Sequence, residues 1–315
     1  MKKYLLNKLS VSLFILLFNT FNLSAQSLSD AVYLSKKELC VGLLYAYDSW
    51  KEYWEGTFKR ENLNLGTVST QSMQVMGTYG LTDKLNVIVG LPYIRTEASA
   101  GTLAGQNGLQ DIMAGLKYQF FAIAQDKHQI NLSAVVGGSL PVSKYTPDLL
   151  PLSIGFQSKT VFGRLLANYR WNQNLTFTAQ ATYTSRSNVT LDRESYYTTH
   201  QIYSKEVAMP DVFSFGVRAG YRSKSWSAEA MYEQMDCLSG FDIRRNDMPF
   251  VSNEMDMSRI GLMGSYTIPQ WADLQLMAQL RYTLTGRNVG QSTGFSIGVM
   301  KAFGFAPAKE LEIGN

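Results

Sequence analysis

From Leu39 onward, apolar residues alternate with polar or small ones at a period of two. Leu85, Val87, Val89, Leu91 and Tyr93 interleave with Asn86, Ile88 and Gly90, and Phe213, Phe215, Val217, Ala219 and Tyr221 interleave with Ser214, Gly216, Arg218 and Gly220. A period of two places alternate side chains on opposite faces of a strand. The pattern predicts about twelve strands, spanning 39–50, 67–80, 84–95, 109–123, 128–142, 155–171, 174–185, 211–223, 225–235, 257–268, 273–286 and 293–305. The last keeps its alternation with one exception, Lys301.

The connections sort by length. Short ones fall at 80–83, 124–127, 172–174, 223–225 and 269–273. Most of the others are long, at 51–66, 96–108, 143–154, 186–210 and 236–256, and the last, near 286–290, is shorter. Short turns at one end and long loops at the other is the pattern of an outer-membrane barrel. A soluble sandwich has no reason to sort its loops this way. The aromatics sort too. Tyr79, Tyr169, Trp171, Tyr221, Trp226, Tyr266, Trp271 and Phe303 lie at the short-turn end, and Tyr93, Tyr183, Tyr232 and Tyr282 at the long-loop end. Two girdles at the lipid–water boundaries explain both groups. Cross-strand pairing in a soluble sheet would explain a few of them, but not their placement at both ends.

Composition changes the picture by exclusion. The chain has 315 residues, 45% of them hydrophobic, and its mean hydropathy is −0.11. A helical membrane protein is more apolar, whereas a transmembrane barrel is not, because only alternate residues face lipid. After Ala25 no apolar run approaches the ~20 residues a membrane helix needs. The expected fold is therefore all-β, a single antiparallel transmembrane β-barrel of about twelve strands, the one sheet architecture that satisfies every backbone group in lipid.

Residues 1–25 read as a secretory signal peptide. Lys2, Lys3 and Lys8 precede the apolar run VSLFILLF (Val11–Phe18), and Asn22–Ala25 offers a cleavage site, with Leu23 at its −3 position larger than usual. The alternative, an uncleaved membrane helix, meets a run too short to span comfortably. No Cys follows the cut to carry a lipid anchor. Removing three lysines from the 29 basic residues leaves 26 against 25 acidic ones, which gives no nucleic-acid footprint. The expected place is the outer membrane of a Gram-negative bacterium. Its expected partners are outer-membrane lipid, lipopolysaccharide and the barrel-insertion machinery. The organisation is then 1–25 signal peptide, 26–38 periplasmic or plug segment, 39–305 barrel and 306–315 polar tail. Within the second, Ser27–Glu38 fits a short amphipathic helix capped by Ser29 or Asp30, lying in the periplasm or in the barrel mouth. Phe303 or Phe305 is the aromatic the insertion machinery would read.

If the apolar parity faces lipid, the other face carries the lumen-lining candidates Asp111, Lys117, Arg164, Arg170, Arg218, Arg222, Glu229, Glu233, Arg259 and Arg281. Basic residues outnumber acidic ones. One reading is a basic constriction that favours anionic or polarisable solutes. The other is mutual pairing that fills a narrow barrel, with Arg218 roughly opposite Glu229 by hairpin register. Asp111 needs a basic partner if it is buried. The loop 235–256, with Asp236, Asp242, Asp247, Glu254, Asp256, Arg244 and Arg245, reads as a solvated outer loop or as a divalent-ion bridge to lipopolysaccharide. His128 and His200 fall at opposite ends, so no two-His metal site follows. His200, with Asp192, Asp211, Asp236 or Asp242, is the sole candidate for a rim enzyme, and no nucleophile elbow or phosphate loop is present. No catalytic, metal or cofactor-binding residue is assigned, and no cofactor is expected.

Two stretches, Tyr79–Tyr93 (YGLTDKLNVIVGLPY) and Gly108–Tyr118 (GLQDIMAGLKY), resemble the outer-membrane channel family named after the meta pathway of phenol degradation. That family shows a "GLTD" turn, a strand ending in "LPY", and "G-L-x-D" opening a strand that ends in "GLKY". The resemblance implies a barrel that passes small hydrophobic or aromatic molecules. The alternatives are a structural or binding barrel plugged by its own charges, and a rim enzyme. The residues also have readings of their own. Gly80 and Asp83 suit a tight turn, and Pro92 a strand end.

Cys40 begins the first strand on the short-turn side and Cys237 lies in a long loop on the other side, of order 25 Å apart across the apolar band and far beyond disulfide reach. Both thiols should be free. Alkylation of the unfolded, unreduced protein should therefore add two labels, and a Cys40–Cys237 disulfide in its mass spectrum would overturn this topology.

Overall fold

The computed structural model describes residues 32–244, 249–271 and 274–304. The leader, residues 26–31 of the following segment, Phe305 and the tail lie outside them. Twelve long strands form the wall. They are β1 (Glu38–Trp50), β2 (Val68–Thr82), β3 (Leu85–Ala98), β4 (Asp111–Gln125), β5 (His128–Pro141), β6 (Thr160–Trp171), β7 (Leu175–Arg186), β8 (Val212–Arg222), β9 (Trp226–Cys237), β10 (Asp256–Ile268), β11 (Leu274–Arg287) and β12 (Thr293–Gly304). Each pairs antiparallel with its neighbours in sequence, and β12 returns to β1 from Glu38↔Gly304 to Ser49↔Thr293. The barrel is closed, so no wall strand is left as an edge.

The strands agree with the periodic segments to within a few residues. The largest difference is β6, which starts at Thr160 rather than 155. Gln157 there has φ +58°, and its N–H donates to the Tyr145 hydroxyl (3.0 Å). That stretch belongs to a loop, not to the ladder. Pro92 lies where the β3 ladder changes partner. Tyr93–Arg95 pair with Asn107–Leu109, Leu85–Gly90 pair with β4, and the Gln110 N–H bridges to the Pro92 carbonyl (3.0 Å). A missing donor is harmless at such a break.

Alternate residues of every strand are exposed and apolar, among them Val75, Val136, Leu165, Leu262, Leu280 and Ile297. Tyr79, Trp171, Tyr221, Trp226, Tyr266, Trp271 and Phe303 are exposed at the turn end, and Tyr93, Tyr183, Tyr232 and Tyr282 at the other. Tyr221 stacks on Trp226 at 5.2 Å. This is the lipid face with its two girdles. Lys301 holds its ammonium 5.7 Å from the Phe303 ring, as a lysine does near the interface.

Gly80 has a different role from a turn residue. It lies inside β2 beside a bulge, and a β-carbon there would sit 2.1 Å from the Ser35 carbonyl oxygen. Lys37 N–H donates to the Gly80 carbonyl (2.8 Å), and Lys36 N–H to Asp83 (2.9 Å). The residues before β1 are thus held by backbone contacts to the first turn. Val32–Lys37 are not helical: the Lys36 and Lys37 N–H groups bond to the β2–β3 hairpin, and Ser35 bonds locally with Glu38.

The facing assignment has a direct test. Leu262 is exposed in the middle of β10, and Gln279 faces the lumen from β11. Leu262→Arg should lower folding stability in lipid vesicles by about 2–4 kcal/mol. Gln279→Arg should cost clearly less in the same urea titration, and the reverse order would mean the faces are exchanged.

Candidate functional site

The candidate site is the lumen, closed off in three tiers. At the turn end, the segment before β1 enters the barrel. Leu34 is 1% exposed and packs with Cys40 and Met300. Lys117 on β4 is fully buried. Its ammonium donates to the Val32 carbonyl (3.0 Å) and lies 4.8 Å from the Tyr33 ring. A buried ammonium is costly unless partnered, and here the carbonyl and the aromatic face both supply partial negative charge.

Ion pairs run along the lumen wall: Arg222–Glu229 (3.2 Å) beside a short turn, and Arg259–Glu233 (3.3 Å) and Arg281–Asp48 (3.3 Å) farther toward the loops. Arg164 donates to the Thr182 hydroxyl (2.8 Å) and Asn168 to Thr178 (2.8 Å). Arg170 lies nearer the turn end, opposite Gln129 and Thr176. The register differs by two residues from the expected one. Gly220 stands opposite Glu229, and Arg218 opposite Met231, so Glu229 is bridged by Arg222. Arg218 instead reaches the Met263 sulfur at 3.7 Å. Asp111, at the loop end, takes a hydrogen bond from the Tyr145 hydroxyl (2.7 Å) rather than a basic partner. Burial and that bond push the Tyr145 phenol well above its usual range.

A cavity of about 210 Å³ remains at mid-depth. Arg218, Arg281, Gln180 and Gln279 line it together with Met76, Met231, Met263, Met277 and Met300. Strand parity alone puts these methionines on the lumen face, a signal the sequence reading left unused. Thioethers are polarizable and make favourable contacts with aromatic rings. Asp48 was also missed, because its neighbours on that face of β1, Cys40, Gly42, Leu44 and Ala46, are apolar or small and mark no lumen.

The loop end is capped. Val189, Leu191, Val207, Met209, Phe250 and Val251 form a buried cluster of the loops' own, with Tyr196 stacked on Phe250 at 5.4 Å. Arg193 bridges to Asp148 across two loops. Asn288, buried and at φ +53°, ties three loops together. Its carbonyl accepts the Gly56 and Ile243 N–H groups (2.8 and 3.0 Å), and its amide donates to Asp242 (2.9 Å) and to the Glu254 carbonyl (2.7 Å). Arg287 pairs with Asp242 (2.7 Å) and Glu254 (3.2 Å). Asp242 and Glu254 are thus paired within the cap while Asp242 stays part-exposed to solvent, and Asp247 and Arg245 lie outside the described residues. Among the described residues no cluster of His, Cys, Asp and Glu could hold a metal ion. His128 contacts the Tyr169 hydroxyl at one end, and His200 sits exposed beside Thr199 at the other. Cys40 and Cys237 are both buried and free.

Residues 62–230 match the model of the family described as "Putative MetA-pathway of phenol degradation". The chain belongs to this family. Among solved structures, it is similar to an outer membrane channel from Pseudomonas putida F1, with 13% identity over 89% of this chain and 100% of that one and a TM-score of 0.68. A FadL homologue from Pseudomonas aeruginosa is 11% identical over 86% of this chain and 91% of that one, with a TM-score of 0.41. No curated protein matches the chain. The family match includes the whole of both motif stretches, and the fold is that of an outer-membrane channel.

The Asn288 tie has a measurable consequence. The Arg287 guanidinium holds the Asp242 carboxyl below the usual carboxylate range, against the opposing effect of partial burial. A depressed carboxylate stabilises above its unfolded pKa, and the contribution is lost as pH falls through the lower folded value. Asp242→Asn should thus loosen the cap at neutral pH as acid does in the native chain. Asn288→Ala leaves two N–H donors unpaired, at about 1–3 kcal/mol. Hydrogen exchange at the Gly56 and Ile243 amides should then speed roughly tenfold or more. Unchanged protection would remove Asn288 as the tie.

Proposed function

We propose that this protein is an outer-membrane channel for small, hydrophobic or aromatic solutes. The observation that carries this reading is the solute-sized cavity at the barrel's mid-depth, walled by thioethers and arginines. Twelve strands enclose more space than eight, whose interior side chains just fill, and less than the 16–18 of an aqueous porin. Ion pairs along the wall take up part of that space. A passage of this kind favours solutes that are small and readily stripped of water. The family description names phenol degradation, and a phenol-like ring suits methionine walls. A leader removed on secretion, insertion by the barrel-assembly machinery and lipopolysaccharide around the outer girdle complete the reading.

A second reading, a plugged binding barrel, is favoured by one observation: both ends are covered, by the loop cluster and by the Val32–Ser35 segment. Single-channel recording separates the two. An open passage should give discrete, small current steps with anion preference, and Arg218→Ala and Arg259→Ala should each shift the reversal potential toward cations. No steps from a folded, heat-modifiable barrel would reject an aqueous pore.

A further inference from the structure

A cleft of about 270 Å³ opens among the loops at the outer end, apart from the mid-depth cavity. Trp50 and Tyr53 form one wall, with ring centroids 6.2 Å apart. Leu65, Leu103, Leu150 and Ile243 add an aliphatic lining. The wall is fitted rather than incidental. The Trp50 indole lies directly on Gly290, where a β-carbon would meet it at 2.4 Å. Strand-like contacts, Tyr53 with Gly290 and the Trp54 N–H on the Val289 carbonyl (2.9 Å), hold the aromatic hairpin against the last loop.

Asn62 supplies the polar element. It lines the cleft and is 7% exposed. Its side-chain carbonyl accepts the Leu65 N–H (3.3 Å), which tells the amide oxygen from the nitrogen. Among the described residues its Nδ2 has no hydrogen-bond partner. Buried amide donors are almost always paired, and an orphan calls for an explanation. Asn288 borders the same cleft, but its carbonyl and its amide are both engaged within the cap. Asn62 thus offers a buried, unused donor at the cleft wall.

We propose that this cleft is an outer binding site for a small apolar molecule, typically one aromatic ring, carrying a single hydrogen-bond acceptor oxygen. An apolar cavity of about 150 Å³ holds benzene, so the cleft admits a substituted ring. The aromatic and aliphatic walls disfavour strongly charged guests, since among the described residues no ionic side chain lines the cleft. A small turn of the Asn62 side chain brings Nδ2 onto an acceptor such as a ketone, ester or ether oxygen. The inference deepens the channel reading by naming a solute class, but binding here requires no passage.

The test uses the full-length protein in lipid nanodiscs with two matched probes, 4-bromoacetophenone and 1-bromo-4-ethylbenzene. Bromine quenches tryptophan emission at short range. A saturable quenching component should appear that Trp50→Phe removes, against a linear background from probe in the lipid. The ketone should bind roughly fivefold or more tightly than the hydrocarbon, the discrimination one satisfied buried donor supplies. Asn62→Leu should erase that preference while keeping saturable binding of the hydrocarbon. Leu103→Phe, which narrows the cleft from a surface loop, should weaken both probes together. Purely linear quenching, equal affinity for the two probes, or a preference that survives Asn62→Leu would overturn the proposal. Failure of the channel reading would show in the current recordings and leave this result standing.

Discussion

The structure depends on the closure of its backbone ladder in a medium without water. Once β12 pairs with β1, no wall strand has an unpaired neighbour in the sheet, and the barrel is stable in lipid. Closure also fixes parity. Each residue on a strand must face either lipid or lumen, and a slip of one position would exchange the faces of the whole strand. Most apolar residues face lipid, so the interior gathers the polar, charged and thioether side chains beside a few aliphatic ones such as Leu44, Ile88 and Val135. The lumen's chemistry is the complement of a membrane requirement.

That complement creates its own difficulty. An arginine or glutamate inside a narrow barrel has lost much of its water. The barrel answers with pairs on neighbouring strands, Arg222 with Glu229 and Arg259 with Glu233, and with Arg281–Asp48, which bridges from β11 to β1. Those pairs stiffen the wall and narrow the path together. A fully desolvated ion would compete with them for partners, while a small neutral solute would not. The methionines work the same way, since unbranched thioethers reshape around a guest at little cost.

The sequence made the wall and the sorting of loops legible because both rest on local signals, the period of two and turn chemistry. Register was legible only approximately. Arg218 and Glu229 differ from the hairpin estimate by two positions, and parity survives such a slip because two is the period. The cap was not legible at all. The Gly56–Asn288 hydrogen bond joins residues 232 apart in sequence, and neither lies in a periodic segment. The same holds for Asn62, which reads from sequence as an ordinary loop asparagine. Gly80 was read as a turn glycine, although its constraint is a backbone that arrives from before the first strand.

The three tiers differ in what opening them would cost. The cap rests on a buried apolar cluster and on Asn288, whose bonds join separate loops. Loosening it exposes apolar surface and leaves donors unpaired. The inner seal is smaller, with Leu34 in a cluster of three buried residues and Val32 accepting from Lys117. Withdrawing that segment would strip a fully buried ammonium of its carbonyl and of the Tyr33 ring, at a price set by how quickly water reaches Lys117. The ion pairs along the wall need not break for a ring-sized guest to lodge beside them, because the cavity already exists. A guest that displaced loop contacts one at a time, beginning at an apolar cleft, would meet the largest barrier in pieces. A hydrated ion gains little from that first step, since the described lining of the cleft offers it no charge.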